Sequence, residues 1–263
     1  ELRRSDFVPA DTELEFAAKG ALPPVEAAGR LGSSVISGFV DRVDLFETEQ
    51  AAYYRVVDYK TGSKDFDYAS ILQGEGLQML IYLFALKKYG PARYGKPLIP
   101  AGVLYVPSRA AMERIAPGED AAQAQALRQK KRRRKGLVLA DEDVLQAMEH
   151  GETTEYLPAQ RKKGEWCGDL ATREQFSEME QFVGTSLAEL TDTLLAGAVA
   201  PDPLGRGPKL PCDYCEYQAA CHRDLGGLAR RYTSAIGAEQ FWESVERRIG
   251  HGGDADKGAA GGR

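Results

Sequence analysis

No apolar run approaches the ~20 residues that a membrane-spanning helix needs. The start, Glu1-Leu2-Arg3-Arg4, has no apolar secretory stretch behind it. A soluble, cytoplasmic protein with no membrane partner is therefore expected. An initiating Met is also missing, as expected of a piece of a longer polypeptide. No G-x-x-x-x-G-K-[ST] loop occurs, so any ATP dependence has to come from a partner. Nor is positive charge in excess: 34 Lys and Arg against 39 Asp and Glu leave a net charge of -5. That balance argues against a surface coated for nonspecific phosphate binding and confines any nucleic-acid contact to local patches. The one dense basic run, Arg128 with Lys130 through Lys135, reads first as a solvated helix face and second as a phosphate-tracking surface. No internal repeat is evident.

What is present suffices for a folded core. The 263 residues, 43% of them hydrophobic, allow one large domain or two small ones. Strands are expected at 12–19, 35–47, 52–60 and 99–106, with a helix over 69–89 closed by Gly90-Pro91. Strand, strand, strand, helix, strand gives an antiparallel hairpin followed by a crossover, hence an α/β fold with a mixed central sheet flanked by helices. Residues 107–170 read as a mainly helical insertion, with helices at 119–134 and from an N-cap at Asp141. Phe176, Met179, Phe182, Val183, Leu187, Leu190 and Leu194 form one apolar stripe on a helix at 172–197, ending at Gly197 and expected to pack on the sheet. A stiff linker, Pro201 to Pro208, follows; Gly252 to Arg263 is expected to be disordered.

The chemistry concentrates in Gly38-Phe39-Val40-Asp41-Arg42-Val43-Asp44 and Val56-Val57-Asp58-Tyr59-Lys60. Side chains alternate along a strand, so Asp58 and Lys60 share a face about 7 Å apart at ~3.3 Å per residue, and Tyr59 points the other way. The hairpin can set Asp41 beside Asp58. Two carboxylates, with the Tyr59 carbonyl, suit Mg2+ or Mn2+, and Lys60 suits a developing negative charge. The plainer alternative is a charged hairpin in which Lys60 pairs with Asp58. Gln78 and Tyr82, four apart, share one face of the next helix.

The second cluster is Cys212-x2-Cys215-x5-Cys221, three thiols in ten residues. Such a set holds zinc or three corners of an iron-sulfur cluster, with a fourth ligand from elsewhere. His222, adjacent to Cys221, is poorly placed for the same ion.

The ordered series Gly-Phe-Val-Asp, Asp-Tyr-Lys and Gln-x-x-x-Tyr resembles the PD-(D/E)xK nucleases of the RecB branch. The resemblance implies a restriction-endonuclease-like core and a site made of Asp41, Asp58, Lys60, Gln78 and Tyr82. It also implies a His or Glu from an upstream helix, for which Glu13 and Glu15 are weak candidates. The cysteine triplet, Lys135 to Leu145 and Gly197 to Pro201 are similar to the C-terminal nuclease domain of AddB-type proteins. That likeness implies a 4Fe-4S cluster on Cys212, Cys215 and Cys221, closed by a Cys far upstream. No Cys precedes Cys167, itself a poor candidate, so in this chain the ligand set is incomplete. The expected nuclease domain is 1–224, with core 12–106, insertion 107–170, long helix 172–197 and cysteines 212–221. A C-terminal helix and tail would fill 225–263. The implied function is Mg2+-dependent cleavage of one DNA strand unwound by an AddA-type helicase-nuclease partner, in double-strand break repair and recombination. The alternatives are a stand-alone iron-sulfur single-strand exonuclease and a catalytically silent structural module.

Overall fold

The strand at Ala52–Lys60 is buried along almost all of its length, a pattern that only the middle of a sheet produces. In the computed structural model, which describes residues 2–62, 64–108, 132–151, 153–206, 209–221 and 231–255, it sits at the centre of six strands. In chain order the strands are β1 Val8–Phe16, β2 Val25–Ala28, β3 Ser33–Ile36, β4 Gly38–Glu47, β5 Ala52–Lys60 and β6 Leu98–Pro107. They continue as β7 Lys135–Leu139, β8 Ala159–Lys162, β9 Glu165–Gly168, β10 Leu170–Ala171, β11 Leu204–Arg206 and β12 Arg231–Thr233.

The chain forms two compact units. The first comprises residues 1–26, 35–66 and 77–183 and contains the main sheet, in the order β1-β4-β5-β6-β7-β10. The pairs β1/β4, β4/β5 and β6/β7 are antiparallel, and β5/β6 and β7/β10 are parallel. The mixed sheet is thus as expected. Helix α2, Gln78–Tyr94, makes the crossover from β5 to β6 and packs on both strands. The Tyr54 hydroxyl donates to the Leu83 carbonyl, so α2 covers the face that Tyr54, Val56 and Asp58 share by alternation. Leu80, Leu83 and Leu86 supply the helical side of that core.

The second unit comprises residues 27–34, 67–76 and 184–263. Here α1, Tyr68–Leu72, meets the C-terminal helix Ala238–Ala255, with the Tyr68 and Phe241 rings 4.8 Å apart. Arg248 donates to the Leu72 carbonyl at 3.2 Å, and Asp192 accepts the Arg30 and Leu31 amides at 3.0 and 2.6 Å.

Several boundaries depart from the sequence expectations. The first strand starts at Val8 and ends at Phe16, and the segment 35–47 is divided between β3 and β4. The helix at 69–89 is two helices: Gly74 and Gly76, at φ +81° and +71°, take a left-handed conformation that breaks it. Gly90-Pro91 does not end α2. Gly90 lies inside the helix and is buried there, with Leu98 Cδ1 packed 2.4 Å from where a Cβ would stand. The last turn is held by Asp11, which accepts from Arg93 and from the Tyr94 hydroxyl at 2.7 Å, and the helix stops at Gly95.

The segment 107–170 is not an insertion throughout, since β7 and β10 belong to the central sheet. Its Asp141 cap is present, accepting the Val144 amide ahead of the helix Glu142–Met148. The helix expected at 119–134 falls outside the described residues, apart from 132–134. The long helix runs Arg173–Leu195, and only the first part of its stripe is covered: Phe176, Met179, Phe182 and Val183 are buried, whereas Leu190 and Leu194 are exposed. The linker 201–208 contains β11, and the C-terminal helix continues through residues 252–255, where disorder is the sequence expectation. Residues 256–263 lie outside the described residues.

Candidate active site

Strand register brings the two carboxylates together. Arg42 and Val57 form the last pair of the antiparallel β4/β5 ladder, so Asp41 and Asp58 flank its end, and alternation puts them on one face of the sheet. The Tyr59 amide donates to Asp41 Oδ2 at 2.8 Å, which fixes that carboxylate while leaving Oδ1 available. Asp58 is only 7% exposed. Lys60 Nζ lies 2.6 Å from Asp58 Oδ2, yet that buried oxygen receives no hydrogen bond of good geometry. The contact is an ion pair set off the hydrogen-bonding direction. The Lys60 ammonium offsets the cost of burying the Asp58 charge.

These features test the fit of a hard divalent cation. One or two carboxylates with water and substrate oxygens is the set such an ion takes, and Asp41 and Asp58 match it. No group of three or more His, Cys, Asp or Glu side chains suited to a metal forms among the described residues. Lys60 pairing with Asp58, the plainer expectation, is also what the resting structure contains. Both readings meet at one place.

Tyr105 on β6 pairs with Asp58, and its hydroxyl pKa is pushed up to about 12 by burial and by the Asp58 charge. The phenol therefore stays protonated beside the site across the ordinary pH range. Gln78 and Tyr82 sit in the first turns of α2, on the side of the sheet that carries Asp58, and Gln78 Nε2 donates to the Tyr82 hydroxyl at 3.4 Å. The Tyr82 ring stacks on Phe16 at 5.6 Å, and its hydroxyl lies where a Cβ on Gly38 would be 2.0 Å away. Only glycine admits that approach, three residues before Asp41. Tyr82 thus packs under the strand that carries Asp41.

Glu13 and Glu15 both lie on β1. Glu15 pairs with Phe39, and Glu13, at φ +51°, lies between the Thr12/Arg42 and Leu14/Val40 pairs, level with Asp41. The helical segment ahead of them among the described residues, Leu2–Arg4, contains neither His nor Glu.

The opposite face of the same hairpin holds a network that sequence reasoning missed. Asp44 is directly across from Arg55, both fully buried, with Arg55 Nε 2.9 Å from Asp44 Oδ2. Arg42 grips the same carboxylate through Nε at 2.8 Å and Nη2 at 3.0 Å, and donates through Nη1 to the Tyr59 hydroxyl. Arg55 stacks on the Phe7 ring, 4.9 Å from its centre. The chain Arg55, Asp44, Arg42, Tyr59 therefore ends on the residue whose amide holds Asp41. An arginine inside the apolar strand Tyr54-Arg55-Val56-Val57, opposite an Asp of matching parity, was the signal available.

The cysteines are arranged differently. Cys212 is half-buried, Cys215 and Cys221 are exposed, and all are free thiols. They line a 3-10 turn at Pro211–Tyr214 and a short helix at Gln218–Cys221 without converging as a metal group. Cys167 donates to the Gln160 carbonyl at 3.4 Å within the β8/β9 hairpin. As they stand the described thiols do not fit a preformed iron-sulfur site.

Comparison with known proteins agrees with the geometry. Residues 1–222 match the PD-(D/E)XK nuclease superfamily. The chain is 30% identical to an ATP-dependent helicase/deoxyribonuclease subunit of Clostridium acetobutylicum, covering 97% of this chain and 23% of that protein. It is 33% identical to the corresponding protein of Ruminiclostridium cellulolyticum, over 85% of this chain and 20% of the relative. With the counterpart from Acetivibrio thermocellus the identity is 31%, over the same shares. The chain thus spans about a fifth of the length of these relatives.

Proposed function

We propose, from the premise that this chain belongs to the PD-(D/E)XK nuclease superfamily, that it hydrolyses phosphodiester bonds of DNA at the Asp41, Asp58 and Lys60 site. The observation that carries the reading is that Asp41 and Asp58 flank the end of the β4/β5 ladder on one face of the sheet, with the buried Asp58 carboxylate ion-paired to Lys60.

Asp41, Asp58 and the Tyr59 carbonyl would hold Mg2+ or Mn2+, which when bound neutralises phosphoryl oxygens and lowers the pKa of an attacking water. The rest falls to the protein. The Tyr59 amide orients Asp41. Lys60, with its side chain 33% exposed, can swing from Asp58 to a phosphoryl oxygen and stabilise charge that grows there during attack. Gln78 lies exposed at the start of α2, where its amide can donate to phosphate or water, and Tyr82 keeps β4 in place beneath it.

The relatives are named as both helicase and deoxyribonuclease subunits. On that basis the domain would cut one strand delivered by an ATP-driven motor, with an AddA-type protein as partner, in the repair and recombination of double-strand breaks. The cysteine triplet lies outside this reaction.

The test is Asp58→Ala in the full chain, assayed on single-stranded DNA with Mg2+ or Mn2+. Cleavage should fall on the order of a thousandfold, with the circular dichroism spectrum unchanged. Cleavage that survives in a folded variant overturns the assignment.

A further inference from the structure

Asp58, Tyr105 and Lys135 are successive partners across β5, β6 and β7, so Lys135 stands on the site's face two strands from Asp58, about 10 Å at ~4.8 Å per strand. Its side chain is 55% exposed and reaches Asp65, in the segment that follows Lys60, at 3.1 Å. From Lys135 the chain runs back through Arg134 and Arg133. Arg133 donates to Gln160 Oε1 at 3.0 Å, joining this edge to the β8/β9 hairpin.

The hairpin is built to present charge. Lys162 pairs with Glu165 across a two-residue turn, in which Lys163 and Gly164 have φ of +52° and +89°. Positive φ at both central positions marks the tight turn that suits strand twist, so the tip is stiff. Lys162 and Lys163 are exposed and make no ion pair among the described residues. One step down the ladder Arg161 faces Trp166, its guanidinium 5.0 Å from the indole. Glu142 locks both, accepting from Trp166 Nε1 at 2.6 Å and pairing with Arg161. A fixed, half-exposed indole and guanidinium pair beside bare lysines is what a single strand needs: flat groups for bases and cations for phosphates. A double helix offers no free base faces to it. In a chain of net charge -5 such a local concentration of cations is not a compositional accident of a basic protein.

We propose that the Lys135–Arg133 edge and the Arg161–Trp166 hairpin form a track for single-stranded DNA flanking the bond that is cut. Phosphates lie along Lys135, Arg133, Lys162 and Lys163, and a base stacks at Trp166. The proposal rests on the nuclease reading of the Asp41/Asp58 site for its direction, since the track leads away from those carboxylates.

The test is binding of a fluorescent single-stranded oligonucleotide to the full chain carrying Asp58→Asn, followed over a range of salt concentration. Lys162→Ser with Lys163→Asn, the Asn chosen because it tolerates positive φ, should weaken binding at least tenfold. It should also reduce the slope of log affinity against log salt by about 1.4, from two phosphate contacts at ~0.7 each. Trp166→Ala should weaken binding about tenfold with the slope unchanged. Unchanged affinity and slope in both variants, each with wild-type melting temperature, overturns the track. Variants that keep DNA binding but lose a protein partner of the intact complex would make the hairpin a protein surface and also overturn it. Hydrolysis of bis(p-nitrophenyl) phosphate, too short to reach the hairpin, separates the two ideas: it depends on the Asp41, Asp58 and Lys60 site, should be lost with Asp58→Ala and should be untouched by the hairpin variants.

Discussion

The carboxylate pair and the cysteine triplet are opposites in construction. Asp41 and Asp58 are separated by a turn and by sixteen residues of sequence, yet the ladder between β4 and β5, ending at Arg42 and Val57, leaves both at its end on one face with no ligand needed. Cys212, Cys215 and Cys221 fall within ten residues, yet two of the three are exposed and the described backbone from 211 to 221 is a 3-10 turn and a short helix. A site on paired strands is assembled by the fold, because every backbone hydrogen bond along the ladder enforces the register. A site on short turns has few such constraints and depends on its ligand for closure.

That contrast can be broken in order of expected effect. Removing the charge that organises the far side of the hairpin should do most. Asp44→Ala leaves Arg55 buried without its carboxylate and should cost about 3–5 kcal/mol, seen as a lower urea midpoint. A stability within about 1 kcal/mol of wild type would show that the network is not what sets the strand pair. Tyr59→Phe is subtler: the ring stays, the hydroxyl that Arg42 holds is lost, and the Asp41 anchor loosens. The divalent cation concentration for half-maximal cleavage should rise several-fold, with the rate at saturating cation changed less than twofold. An equal fall in rate at all cation concentrations would break the link between the two faces.

A smaller effect belongs to Asp11. The hydrogen bond from Arg93 holds its carboxyl below the usual carboxylate range. Its contribution is therefore present above the unfolded pKa of ~3.9 and is lost as pH falls through the lowered native value. Asp11→Asn should cost on the order of 1 kcal/mol at neutral pH and flatten the acid limb of the stability curve below pH 4. An acid limb identical to wild type would count against the clamp on the end of α2. The smallest change is expected from Cys215→Ser in metal-free protein, where the thiol is exposed and the melting temperature should move by less than about 1 °C. A fall of several degrees would mean that the triplet is part of the fold before any ligand arrives.

Much of this was legible in the residues. The alternation in Val56-Val57-Asp58-Tyr59-Lys60 gave the shared face of Asp58 and Lys60, and the short stretch between the strands expected at 35–47 and 52–60 gave the hairpin. Gly38 was legible as part of a motif but not as the place where the Tyr82 hydroxyl lies, since that contact joins an edge of β4 to a helix forty-four residues on. The Gly90-Pro91 pair misled because α2 is carried past it by contacts outside the local pattern, with Asp11 accepting from Arg93 and Tyr94 in the last turn. The segment after Pro107 misled because β7 and β10 are short, five and two residues, too brief for an alternation to declare itself.

Sequence alone determined the side-chain chemistry and the parity of each strand: which residues carry oxygen, nitrogen or sulfur, and which of them must point together. Tertiary structure decided which strands lie next to one another and in what register. That choice put Asp41 against Asp58, set Lys135 two strands away on the same face, and hid Asp44 between two arginines. Parity is a local property of an extended chain, fixed by bond geometry. Neighbourhood and register are set by the burial of the whole sheet, a balance summed over residues far apart in sequence.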